Sequence, residues 1–185
     1  MRFFNTAGPV RCEDHYCLPP LERLDLEEVL MLIDQKKYFV LHAPRQTGKT
    51  TCLLALQEYL NKEGKYRALY VNVEGAQGAR EDVYRGIKAI LSTMKIMIEE
   101  YWGEGFNIDF NKILKENGED SALLSSLREL SQKADKPVVL MIDEIDSLVG
   151  DTLISVLRQL GENTKARRIL GVGNVRGMSL FILKA

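Results

Sequence analysis

The stretch "VLHAPRQTGKTT", Val40 to Thr51, constrains this chain more than any other. An apolar, β-rich run, "KYFVLHA", leads into it, and helical spacing follows it at Cys52, Leu53, Leu56, Tyr59 and Leu60 until Gly64. The order is therefore strand, loop, helix, which is the context that gives a G-x-x-x-x-G-K-[ST] string its meaning. A loop feeding a helix N-terminus meets phosphate with converging backbone N–H groups and the positive end of the helix dipole. Gly48 permits close backbone approach, Lys49 offers a point charge to β and γ phosphates, and Thr50 offers an oxygen to Mg²⁺. The first glycine of the pattern is replaced by Ala43. A methyl group there costs little where φ is negative, and Pro44 lacks an N–H that the cradle draws mainly from later positions. The bland alternative is a chance T-G-K-T in a surface turn.

The rest of the chain reads as alternating strands and helices. Asp25 to Gln35 is expected as a helix capped by Asp25, Tyr66 to Glu74 as a strand, and Glu81 to Tyr101 as an amphipathic helix. Shorter helices are expected near Phe110 to Lys115, from Asp120 or Ser121 onward, and over Asp151 to Leu160. "VVLMIDE", Val138 to Glu144, is an unalternating apolar run, as in a strand buried on both faces at the centre of a parallel sheet. "RRILGVGNV" is a weaker strand because of Gly171 and Gly173. Alternation of this kind implies a parallel sheet with helices on both faces and ligands beyond the carboxyl ends of its strands.

The second chemical motif stands at such an end. Asp143 leaves the buried strand as a hard oxygen donor for magnesium, and Glu144 follows as a base able to polarise a water for attack on a γ-phosphate. Acids also end strands merely because strands end at the surface, so the pair gains its meaning from the phosphate loop upstream. Asp146 reads as a helix N-cap or solvated charge, with a metal role as the alternative.

"APRQTGKTT" and "VVLMIDEIDSL" together resemble the Walker A and Walker B motifs of AAA-like P-loop ATPases, in the branch near the archaeal-type and STAND ATPases. The resemblance spans Leu18 to Arg176. It implies a three-layer α/β P-loop NTPase fold with a parallel sheet ordered 5-1-4-3-2, a lead-in loop over residues 1–20 and one ATPase domain over 21–185. It further implies ATP and Mg²⁺ as ligands, with Ala43, Pro44, Arg45, Gln46, Thr47, Gly48, Lys49, Thr50 and Thr51 around the nucleotide. Thr50 and Asp143 would serve the metal, and Glu144, Lys49 and Asn174 catalysis. Asn174, or alternatively Arg176, occupies the γ-phosphate sensor position, against a strand-end cap as the bland reading. Asn72 resembles a residue that restrains the catalytic glutamate in some relatives, and Tyr16 or Leu18 resembles an adenine contact, against the bland and slightly favoured reading of a proline-fixed loop covering the sheet.

After the sensor position only "GMSLFILKA" remains, room for a short fifth strand "SLFIL" but not for the usual lid. The expectation is a lid or arginine finger from a homo-oligomer or protein partner, or else a truncated relative; Arg45, Arg167, Arg168 and Arg176 are the finger candidates in the chain itself. Slow hydrolysis follows, because an open site admits water. The competing readings are a nucleotide switch without significant hydrolysis and a degenerate fragment.

Composition narrows the partners. Lys+Arg 25 against Asp+Glu 26 gives a net charge of -1, so there is no overall field for nucleic acid, nor is there a basic stripe interleaved with aromatics. No segment approaches the roughly 18 apolar residues of a membrane span, and the start lacks a signal-peptide pattern, so a cytoplasmic address is expected. In that setting Cys12, Cys17 and Cys52 should be reduced, Cys52 as a core residue. Cys12, His15 and Cys17 lie close enough to consider a metal, but a fourth ligand is missing.

Overall fold

The computed structural model describes residues 3–6, 10–37, 39–42, 47–103, 105–162 and 178–181. Helix α1 (Leu26–Asp34) starts where the Asp25 carboxylate accepts the Glu28 N–H at 3.0 Å. Strand β1 (Val40–His42) leads to the phosphate-loop segment, and helix α2 (Lys49–Glu63) runs between Gly48 and Gly64, both left-handed at φ 79°. Next come β2 (Arg67–Asn72) and the long helix α3 (Val83–Trp102), which starts where the Asp82 carboxylate accepts the Arg85 N–H. Helices α4 (Phe110–Asn117) and α5 (Ala122–Lys133) precede β3 (Val138–Asp143), then α6 (Gly150–Glu162) and β4 (Met178–Phe181).

Among the described residues these strands form one sheet in the order β1-β4-β3-β2. The pair β2–β3 is parallel, in the register Arg67 to Val138 through Asn72 to Asp143. All six residues of β3 are buried, as its unbroken apolar run requires of a strand covered on both faces. Strand parity divides the core in two. Ala68, Tyr70, Val139 and Met141 pack with Val29 and Ile33 of α1 and with Leu53, Leu56 and Leu60 of α2. Leu69, Val71, Val138, Leu140 and Ile142 pack instead with residues of α3 to α6, among them Ile87, Leu91, Leu127 and Leu160.

Two expectations are corrected. The "SLFIL" segment does not form a parallel fifth strand outside β1: residues 178–181 run antiparallel between β1 and β3, pairing Val40 with Leu180 and Met141 with Phe181. Parallel and antiparallel ladders accept the same apolar residues, so a short run does not encode its direction. The segment expected to fill the place between β1 and β3, "RRILGVGNV", lies outside the described residues. Cys12 and Cys17 are disulfide-bonded rather than reduced, with their Cα atoms 5.1 Å apart. The lead-in folds back on itself through Phe3 N–H to Asp14 O and Tyr16 N–H to Phe3 O, which brings the two cysteines together. Cys52 is free and buried, as expected of a core residue.

The outer edge of β2 is closed by side chains. Asn61 of α2 accepts the Ala68 N–H at 2.9 Å and donates to its carbonyl at 3.0 Å, as a neighbouring strand would. The Trp102 indole donates to that same carbonyl, and the Tyr70 N–H donates to the buried Gln57 amide oxygen. Exposed strand edges template aggregation, and this one is blocked by the helix beside it.

Candidate functional site

The strand-to-helix turn carries the first half of the site. Gly48 holds φ 79° and ψ 27° immediately before α2, a backbone that a residue with a Cβ adopts only at a cost of about 1–2 kcal/mol. A Cβ there would also lie 2.7 Å from an Arg23 side-chain nitrogen. Arg23 donates a hydrogen bond to the Thr47 carbonyl, bracing the loop from a 3-10 turn at Pro20–Arg23. Ala43, Pro44, Arg45 and Gln46 lie outside the described residues. The Thr51 hydroxyl accepts the Val10 N–H at 3.3 Å and ties the lead-in to the first turn of α2.

The second half is the end of β3. The Asp143 carboxylate is fully buried, and a buried charge persists only where donors satisfy it. Thr50 Oγ1 donates to Asp143 Oδ2 at 2.7 Å across 93 positions of chain. The Tyr70 hydroxyl donates to that oxygen at 2.8 Å, and the Glu144 N–H donates to Oδ1 at 2.9 Å. Burial first, then the Asp143 charge, pushes the Tyr70 phenol well above its ordinary value, with Asn72 and Thr50 acting in the opposite direction. The phenol therefore stays a donor at neutral pH.

Glu144 is half-buried and stands in left-handed backbone at φ 58°, one of three such non-glycine residues among those described. Backbone strain of this kind persists only where the surroundings over-determine it, and it concentrates at functional sites. Burial raises the Glu144 carboxyl above its ordinary value, as do the charges of Asp143, Asp146 and Glu74, while Lys49 pulls it down. The last effect places the Lys49 ammonium within electrostatic reach of the acid. A carboxyl raised in this way is a better proton acceptor than an ordinary surface glutamate.

A cavity of about 380 Å³ opens beside this centre, lined by Arg23, Asp25, Phe39, Leu41, Thr47 and Lys49 among others. Two cations and an aromatic ring thus border one space at the head of α2. Neither Tyr16 nor Leu18 is among its described lining; both are exposed, and Tyr16 packs against the Phe4 ring.

Asn72 stays beside this centre: its side chain hydrogen-bonds with the Tyr70 phenol, and its side-chain oxygen accepts the Glu74 N–H at 2.8 Å, which closes the chain after β2. Asp146 lies half-buried in the 3-10 turn Ile145–Ser147, ahead of α6 rather than at its cap. His15 Nδ1 accepts the Arg11 N–H at 3.0 Å beside the disulfide, which leaves no thiolates there for a metal. Asn174, Arg167, Arg168 and Arg176 lie outside the described residues. Among the described residues no three His, Cys, Asp or Glu side chains converge as a metal cage. One hydroxyl and one carboxylate are the donors that a phosphate-bound magnesium takes from protein, so Thr50 and Asp143 fit that group.

Arg23 and Tyr70 were not legible as site residues. Tyr70 looks like any β-forming aromatic, and only the parallel register aligning Asn72 with Asp143 puts its hydroxyl against the carboxylate. Arg23 sits before α1 in a proline-led turn with no motif around it.

A family model described as an AAA domain matches residues 33–174, which take in the phosphate-loop segment, the acidic strand end and Asn174. No curated protein and no solved structure matches the chain.

Proposed function

Because the chain belongs to the AAA domain family of P-loop NTPases, we propose that it binds Mg-ATP, hydrolyses it slowly, and couples its nucleotide state to a conformational change in a partner or oligomer. The observation that carries this reading is the 2.7 Å bond from Thr50, in the first turn of α2, to the buried Asp143 carboxylate. That bond joins the phosphate-loop helix to the acidic strand end. Within the family we place the chain near the additional-strand, STAND-related branch, as one domain behind a lead-in of residues 1–20.

Each residue has a task in this reading. Gly48 and the N-terminus of α2 present backbone N–H groups and a helix dipole to the phosphates, and Lys49 adds a point charge. Thr50 spends its proton on Asp143, which leaves its lone pairs for a cation. When bound, magnesium neutralises charge developing on the β and γ oxygens. Glu144 accepts a proton from the attacking water, helped by a carboxyl held above its ordinary range. Asn174 serves as the γ-phosphate sensor, and a neighbouring subunit or protein partner supplies an arginine finger. Solvent access to the cavity keeps the basal rate low. No helix among the described residues is long and apolar enough to cross a membrane, and we propose a cytoplasmic setting.

Single-turnover decay of ATP on the purified chain tests the assignment. Glu144→Gln should bind Mg-ATP as tightly as the parent chain and lose turnover by about a hundredfold or more, the scale of general-base catalysis. Unchanged turnover would remove Glu144 from the mechanism. Binding without decay in the parent chain, with or without a partner, would favour a nucleotide switch.

A further inference from the structure

We propose that Tyr70 is the positioning residue of the metal site: its phenol fixes the Asp143 carboxylate so that Thr50 can present its oxygen to the magnesium of Mg-ATP. The inference rests on the reading that Thr50 and Asp143 serve that magnesium. Its basis is the division of donors over the carboxylate, with two hydroxyls on Oδ2 and one N–H on Oδ1.

Tyr70 comes from the neighbouring strand and is 7% exposed, so no bulk water competes for its O–H. The parallel ladder fixes where that hydroxyl arrives, since Asn72 pairs with Asp143 and Tyr70 with Met141. The Tyr70 N–H is itself held by Gln57 of α2, the helix that carries Thr50. Backbone and side chain of Tyr70 thus tie the metal carboxylate and the phosphate-loop helix to one strand. With the phenol gone, Oδ2 loses one of its hydroxyl donors, the carboxylate gains freedom to turn about its Cβ–Cγ bond, and the direction of the Thr50 lone pairs is less firmly set. Groups that orient a metal ligand from behind typically matter about ten- to a hundredfold in metal affinity.

The test compares ATP affinity in magnesium and in EDTA by titration calorimetry, for the parent chain and for Tyr70→Phe. The variant keeps the ring that fills the core and loses only the hydroxyl. Its affinity in magnesium should fall about ten- to a hundredfold, while its affinity in EDTA should equal that of the parent. Equal losses in both conditions would make Tyr70 merely structural, and no loss in either would overturn the proposal outright. If the parent chain gains nothing from magnesium, the metal reading falls and the proposal with it; if the parent gains and the variant gains equally, only the proposal falls. Should Tyr70→Phe fail to fold, Asp143→Asn removes the charge that needs the phenol. In that background adding Tyr70→Phe should leave the residual magnesium response unchanged, and a further drop would contradict the mechanism.

Discussion

At Gly48 the requirement for glycine comes from backbone more than from space. The guanidinium of Arg23 that a Cβ would meet is the far end of a flexible side chain, whereas φ 79° is fixed by the entry into α2. Gly48→Ala should therefore lower stability by about 1–2 kcal/mol, read from the denaturant midpoint at constant slope, and weaken ATP binding along with it. An unshifted midpoint would mean that the loop does not hold the left-handed turn. This position was legible, because T-G-K-T between an apolar strand and an amphipathic helix names its glycine. So were Thr50 and Asp143, although their direct contact was not. Tyr70 was illegible for a physical reason: its role depends on which strand lies beside β3 and in what register, and neither is written into the residue.

At the scale of elements, the helices followed their sequence signals because caps and periodicity are local. Asp25 caps α1, Gly64 closes α2, and α3 buries Ile87, Ile90, Leu91, Met94 and Ile98 at three- and four-residue spacing. β4 went otherwise, since strand direction and neighbour are set by what else competes for a place in the sheet. The pairing of α2 with the edge of β2 was also invisible in advance. It yields a prediction at this scale: Asn61→Ala leaves the Ala68 N–H without its acceptor and should cost about 1–3 kcal/mol in denaturant unfolding. The loss should come with a greater tendency to aggregate, because the Ala68 N–H at the edge of β2 is then left unguarded. An unchanged midpoint and no added aggregation would show that this edge needs no guard.

For the molecule as a whole, a loop and an acid 93 positions apart come together, and we propose that they form one nucleotide site. The sheet makes this possible by ending β3 at Asp143 beside the first turn of α2, while the two halves of the core brace the sheet from either side. A ligand that binds only the folded chain must raise its melting temperature, so Mg-ATP should do so in a concentration-dependent way. The most direct measurement is an Mg-ATP binding titration of the parent chain against Lys49→Ala. The parent should bind saturably and the variant should lose at least tenfold in affinity, about 1.4 kcal/mol of binding energy. Equal affinity in the two chains, or no binding in either, would contradict this reading.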